Sequence, residues 1–126
     1  MKRIRFGAVL LITLLVLGFW SSNFMERTHF SQVEQLNRAA ELALEGNWAA
    51  AQQRTGTARR EWNKNRTLIA ALTDHEPMDQ VEGLFAQLDV FVRQQDAVSY
   101  SSTCLYLARQ LEAMGKSHSL SLENLL

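Results

Sequence analysis

The densest group of side chains able to hold a cation or move protons lies in mid-chain: Asp74, His75, Glu76, Asp79 and Glu82. On a helix Asp79 and Glu82 share a face, so two carboxylates with an imidazole nearby supply donor types that a divalent ion accepts. The spacing that metal helices use is missing. Neither the paired Glu-x-x-His of di-iron bundles nor His-Glu-x-x-His occurs. The plainer reading has these acids capping and favourably charging a helix start, with His75 bonded to a neighbour. That reading is the expectation, with no metal ligand assigned. The alternative is an extracytoplasmic cation- or ligand-binding sensor that uses all five residues.

Other groups point away from catalysis. Trp48 and Trp62 are fourteen positions apart, which returns to nearly the same helix face after four turns. Two large rings on one inward stripe belong in a core rather than around a ligand. Arg54, Arg59, Arg60, Lys64 and Arg66 make one segment basic, as a solvated helix face commonly is. Cys104 is the sole cysteine, so no intramolecular disulfide is available, and its place on an apolar stripe predicts burial. Ser117-His118-Ser119 is too local and too near the end to form a triad. No Gly-rich phosphate loop, nucleophile elbow or nucleotide fingerprint appears. The expectation is therefore a protein that is not an enzyme and carries no cofactor.

The elements that must position these residues are helices. One proline and six glycines in 126 residues leave few breakers, which favours an all-α fold. Thirteen basic residues balance thirteen acidic ones, so no overall field draws the chain to nucleic acid. From Phe6 to Met25 the chain carries no charge and is dense in Leu, Val, Ile and Phe. About twenty such residues suffice to cross a hydrocarbon core about 30 Å thick. Lys2, Arg3 and Arg5 precede this run, while Glu26, Arg27 and His29 follow it. The positive-inside rule then puts residues 1–5 in the cytoplasm, 6–25 across the cell membrane and 26–126 outside as one helical domain. A cleaved secretory signal shares these features. Its best cleavage site, Val16-Leu17-Gly18, is followed by bulky Phe19-Trp20, which favours a retained single-pass anchor.

Beyond the anchor, Phe30, Val33, Leu36, Ala40, Ala43 and Leu44 recur at helical steps and predict one buried stripe on a helix that grows out of the membrane span. It should end at Gly46-Asn47, where glycine stops one helix and asparagine caps the next. The second helix is expected from Trp48 to about Thr73, with Trp48, Ala51, Thr55, Ala58, Trp62, Ile69 and Leu72 on one side. Pro77 suits the first turn of a third helix, whose stripe is Met78, Val81, Phe85, Leu88 and Val92, widened by Leu84 and Phe91. Asp96 then caps a fourth helix presenting Tyr100, Cys104, Leu107 and Leu111, which Gly115 should end, with Leu120 to Leu126 folded back on the bundle. Gly46-Asn47-Trp48-Ala49 and Gln95-Asp96-Ala97 echo each other as turns. Two αα-hairpins packed as a four-helix unit result, like tetratricopeptide arrays in outline only.

Asn47-Trp48 with Ala51, Trp62-Asn63-Lys64, Asp74-His75-Glu76 with Asp79 and Glu82, Asp96, and the closing Leu122-Glu123-Asn124-Leu125-Leu126 together resemble one known family. It is the domain-of-unknown-function family 4363, small membrane-anchored proteins of Gram-positive bacteria. The sequence departs from that pattern at Thr67-Leu68-Ile69, where a further tryptophan is usual, and at Pro77. The resemblance implies the architecture and no activity. The functional expectation is an accessory or scaffold protein, held by the lipid bilayer through Phe6 to Met25, that binds another membrane or envelope protein.

Overall fold

A computed structural model describes the backbone of residues 2–72 and 75–125, and the side chains of 2–20, 30–71 and 76–115. Apart from turns at 45–47 and 95–96, the described chain is helical, in four helices: α1 (Lys2–Leu44), α2 (Trp48–Leu72), α3 (His75–Gln94) and α4 (Ala97–Leu125). The expected all-α unit of two αα-hairpins is present. The tetratricopeptide likeness goes no further than the hairpins themselves.

At 43 residues α1 is about 65 Å long at 1.5 Å per residue, so it is long enough to cross a bilayer and still project well beyond it. Lys2–Trp20 is sufficiently long and apolar to span a membrane, a test that a signal sequence also passes, and the fold buries none of it. The Thr13 hydroxyl donates to the Val9 carbonyl at 2.8 Å, which satisfies that polar group inside the helix. No break separates the apolar segment from the domain, because no Pro or Gly lies between Ser21 and Glu45.

Both hairpins turn by one device. At the end of α1, Gly46 takes φ 81° while its N–H donates to the Ala43 carbonyl at 3.0 Å and the Asn47 N–H donates to Leu42 at 2.9 Å. This pair of bonds is a Schellman cap. At the end of α3, Gln95 takes φ 53°, its N–H donates to Val92 and the Asp96 N–H donates to Phe91, both at 3.0 Å. Each turn then starts the next helix with an Asx cap: the Ala50 N–H donates to Asn47 Oδ1 at 3.3 Å, and the Ser99 N–H donates to Asp96 Oδ1 at 3.1 Å. The Ser99 hydroxyl also donates to Asp96, and these bonds to its charged form hold the Asp96 carboxyl below its ordinary value.

A left-handed conformation is costly for any residue with a Cβ. Gln95→Gly should therefore raise stability by about 0.5–1 kcal/mol, whereas Gly46→Ala should lower it by about 1 kcal/mol. Urea unfolding of the chain in mild detergent, followed by tryptophan fluorescence, checks both signs.

The core draws on every helix: Leu36, Ala39, Ala40 and Ala43 from α1; Ala51, Ala58, Trp62 and Ile69 from α2; Met78, Val81, Phe85 and Leu88 from α3; Tyr100, Cys104, Leu107 and Leu111 from α4. Over the described side chains the predicted stripes of α2, α3 and α4 face inward as expected, with Trp48, Thr55, Leu84, Phe91 and Val92 half-buried at their edges, and the Leu72 side chain lies outside the described residues. α1 differs. Phe30 and Leu44 are exposed and Val33 is half-buried, whereas Gln32, Ala39 and Leu42 are buried. The reason is that α1 packs against both α2 and α4. Two neighbours bury a wide arc centred on its alanines and leave one margin of the apolar stripe bare.

α4 also departs from expectation. It runs through Gly115 to Leu125 rather than stopping at Gly115. The helix continues because no proline and no left-handed cap follows that glycine, and leucine-rich sequence favours propagation. The side chains of Leu120 to Leu126 lie outside the described residues, as do those of Phe24 and Met25.

Candidate functional site

The two hairpins meet unevenly. α1 packs along α4 and α2, and α3 packs on α4, but α2 and α3 touch only sparsely. Between α2 and α3 this leaves a cleft of about 530 Å³, lined by Gln52, Thr55, Gly56 and Arg59 of α2, Phe85, Leu88, Asp89, Val92 and Arg93 of α3, and Tyr100 of α4 at its floor. Gly56 places no side chain in this opening, and the Arg60 guanidinium lies 3.6 Å from where its Cβ would be.

The cleft is set by hydrogen bonds between distant parts of the sequence. The Tyr100 hydroxyl donates to Thr55 Oγ1 at 2.9 Å, with the Ala51 carbonyl 3.3 Å away. Thr55 in turn donates back to the α2 carbonyls of Ala51 and Gln52. Trp48 meets the Tyr100 ring edge-on at 5.2 Å between centroids. Burial drives the Tyr100 phenol well above its ordinary value, and likewise pushes the Cys104 thiol up to about 12. Both groups are held protonated at neutral pH, so neither is poised as a nucleophile or base.

Cys104 should therefore resist iodoacetamide at pH 8 in the folded chain and react within minutes in denaturant. Its folded value lies above the unfolded one, so the neutral thiol contributes stability that is intact below about pH 9 and is lost as pH rises towards 12. Rapid alkylation of the native chain would contradict the buried placement.

Ion pairs bridge the cleft. Arg59 pairs with Asp89 at 2.8 Å and lies 6.0 Å from the centroid of the Phe85 ring. Farther along the same seam, Arg66 pairs with Glu82 at 2.8 Å. Arg54 donates to Gln35 of α1 at 3.1 Å. The basic residues of α2 are thus partly spent on neighbouring helices rather than standing only as a solvated face. Exposed pairs of this kind contribute little stability singly; their value here lies in spanning two helices that otherwise barely touch.

Of the five residues singled out in the sequence, Asp74 and the His75 side chain lie outside the described residues. Glu76 sits in the first turn of α3, where an acid complements the helix dipole, and Pro77 follows it in that turn. Asp79 is exposed on α3, and Glu82 faces Arg66. Among the described residues no three metal-binding side chains come together. Thr55, Arg59, Phe85, Leu88, Val92 and Tyr100 are each prominent in the sequence, but their meeting in one cleft is not, since Arg59 and Asp89 are thirty positions apart and only the packing brings them together.

A family model described as a domain of unknown function, DUF4363, matches residues 19–125. The chain belongs to that family. The DUF4363 match begins at Phe19 and so takes in the whole helical domain, leaving the basic start and most of the apolar segment outside it. Comparison with curated proteins and with solved structures gives no match. The DUF4363 assignment therefore fixes kinship and carries no activity with it.

Proposed function

We propose that this protein is a single-pass, membrane-anchored accessory or scaffold protein without catalytic activity. Its N-terminus lies in the cytoplasm and its helical domain outside the cell membrane. The domain receives a segment of another membrane or envelope protein in the α2/α3 cleft. The observation that supports this reading is the sparse seam between α2 and α3, a cleft in which half-buried Val92 and the charged Arg59, Asp89 and Arg93 surround a floor of buried Phe85, Leu88 and Tyr100. An apolar side chain flanked by an acidic group fits this lining, which carries two arginines, Arg59 and Arg93, against one carboxylate, Asp89. The anchor raises the local concentration of the domain for partners in the same membrane, so modest affinity is enough.

The basic residues before the apolar run and the mixed charges after it support the orientation. The test places a photoreactive residue at Gln52 or Arg93 on the cleft rim, and a control at Gln53 on the exposed face of α2, in intact cells. Capture of one protein from the rim positions and not from Gln53 is expected. Equal capture from all three positions, or none, counts against the cleft. A cysteine at Gln53 should also react with a membrane-impermeant maleimide before lysis; reaction only after lysis would put the domain in the cytosol.

A further inference from the structure

We infer that the outer face of α1 and α4 is the contact surface of a parallel homodimer whose two-fold axis runs along the helices. Outside residues 2–20, the described chain exposes seven large apolar side chains, and five of them lie on this face: Phe30 and Leu44 of α1, and Val98, Leu105 and Tyr106 of α4. Soluble surfaces seldom gather apolar groups in this way unless something covers them. Phe30, Asn37 and Leu44 repeat every seven residues along α1, and Val98 and Leu105 do so along α4, so each helix offers a straight stripe.

A second copy is the occupant because the face is complementary to itself. α4 starts beside the end of α1 and runs back along it, since Val33 and Asn37 share a groove of about 490 Å³ with Leu105 and Arg109. At equal rise per residue, Leu44 is level with Val98, Asn37 with Leu105, and Glu34 with Arg109. A two-fold axis parallel to the helices sets α1 of one copy against α4 of the other at the same level. Leu44 then meets the other copy's Val98, and Glu34 meets its Arg109, twice over by symmetry. Glu34 and Arg109 are each exposed and have no hydrogen bond or ion pair among the described residues, whereas neighbouring Glu41 is already paired with Arg38 at 2.9 Å.

This axis also sends both α1 helices out of the contact in the same direction, as two anchors in one bilayer require; a perpendicular axis would send them apart. The face from Phe30 to Leu44 is about 21 Å long and two helices wide, a footprint of about 400 Å² per copy. That falls short of the roughly 800 Å² per partner of a standard interface, and tethering in one membrane compensates by raising the effective concentration. The tethering step rests on the anchor in the proposed function; the face does not, and the experiment reads the face alone.

Full-length chain in detergent micelles, labelled for energy transfer and diluted with detergent, gives the dimer dissociation constant. Glu34→Arg and Arg109→Glu should each raise it at least about tenfold. The double reversal should bring it back to within about threefold of the starting value. Leu105→Asp should weaken the dimer without a charge partner to rescue it. Far-UV circular dichroism of each variant should match the starting chain, because these side chains are exposed. In parallel, oxidation of an equal mixture of the Glu34→Cys chain and the Arg109→Cys chain should give a covalent dimer of the two. A chain that stays monomeric at every concentration overturns the inference. So does a dimer indifferent to the reversals, which would be held by the anchors instead, and so does a mixture of the two single-cysteine chains that yields no covalent dimer.

Discussion

Trp62→Ala is expected to lower folding stability by about 3–5 kcal/mol, the cost of removing a fully buried aromatic side chain. Trp62 is the largest fully buried side chain and is 1 % exposed, so truncation deletes its contacts and leaves a cavity that the bundle can close only in part. A domain of this size holds about 5–15 kcal/mol in total. The loss is therefore a large share of the whole, and it falls where α2 has few alternatives: its seam with α3 is sparse, so its inward stripe carries most of its attachment. Trp62→Phe should cost under about 2 kcal/mol, because most of the apolar ring volume is kept. The indole Nε1–H has no hydrogen-bond partner among the described residues, so losing it forfeits no bond. Denaturant unfolding measured by circular dichroism separates the two variants. A loss below about 1 kcal/mol for Trp62→Ala would mean that the ring is not part of the core.

Turn chemistry was legible in the sequence because it is local. Gly46-Asn47 and Gln95-Asp96 sit where the hydrophobic rhythm of one helix ends and another begins, and each cap bonds groups within five residues of itself. The inward stripes of α2, α3 and α4 were legible for a similar reason, since a period of 3.6 names a face. The period does not say how many neighbours share that face. On α1 two neighbours shift the buried arc, so Phe30 and Leu44, expected inside, stand outside while Gln32 goes in. The end of α4 is not legible in this way, because Gly115 has no proline after it to fix a boundary and the helix runs on through the polar Lys116-Ser117-His118-Ser119. The cleft had no local signature at all. It exists because α2 and α3 diverge over Tyr100, and the residues that bridge it, Arg59 with Asp89 and Arg66 with Glu82, pair across sequence distances that no motif records.

Gln32→Leu should stabilise the fold by about 1–3 kcal/mol, the opposite sign from most buried substitutions. Gln32 is 0 % exposed on α1, and neither its amide nitrogen nor its carbonyl oxygen has a hydrogen-bond partner among the described residues. A buried polar group left unpaired costs its full desolvation, and an apolar side chain of similar size removes that cost while keeping the volume filled. The surroundings repeat the problem: Trp62 Nε1 and Glu61 Oε2 are also buried and unpaired. α1 and α2 run antiparallel from the turn at Gly46, so Gln32 comes level with Glu61 and Trp62. The Ser31 hydroxyl reaches Glu61 Oε1 at 3.4 Å at this same level. Two donors and two acceptors therefore lie close together without meeting. Gln32→Glu sharpens the test, since a carboxylate there adds a like charge near Glu61 and should destabilise the fold, more so above pH 5 than at pH 4. If Gln32→Leu instead cost stability, the amide would be bonded in solution and the polar level between α1 and α2 would be holding the helices in register rather than straining them.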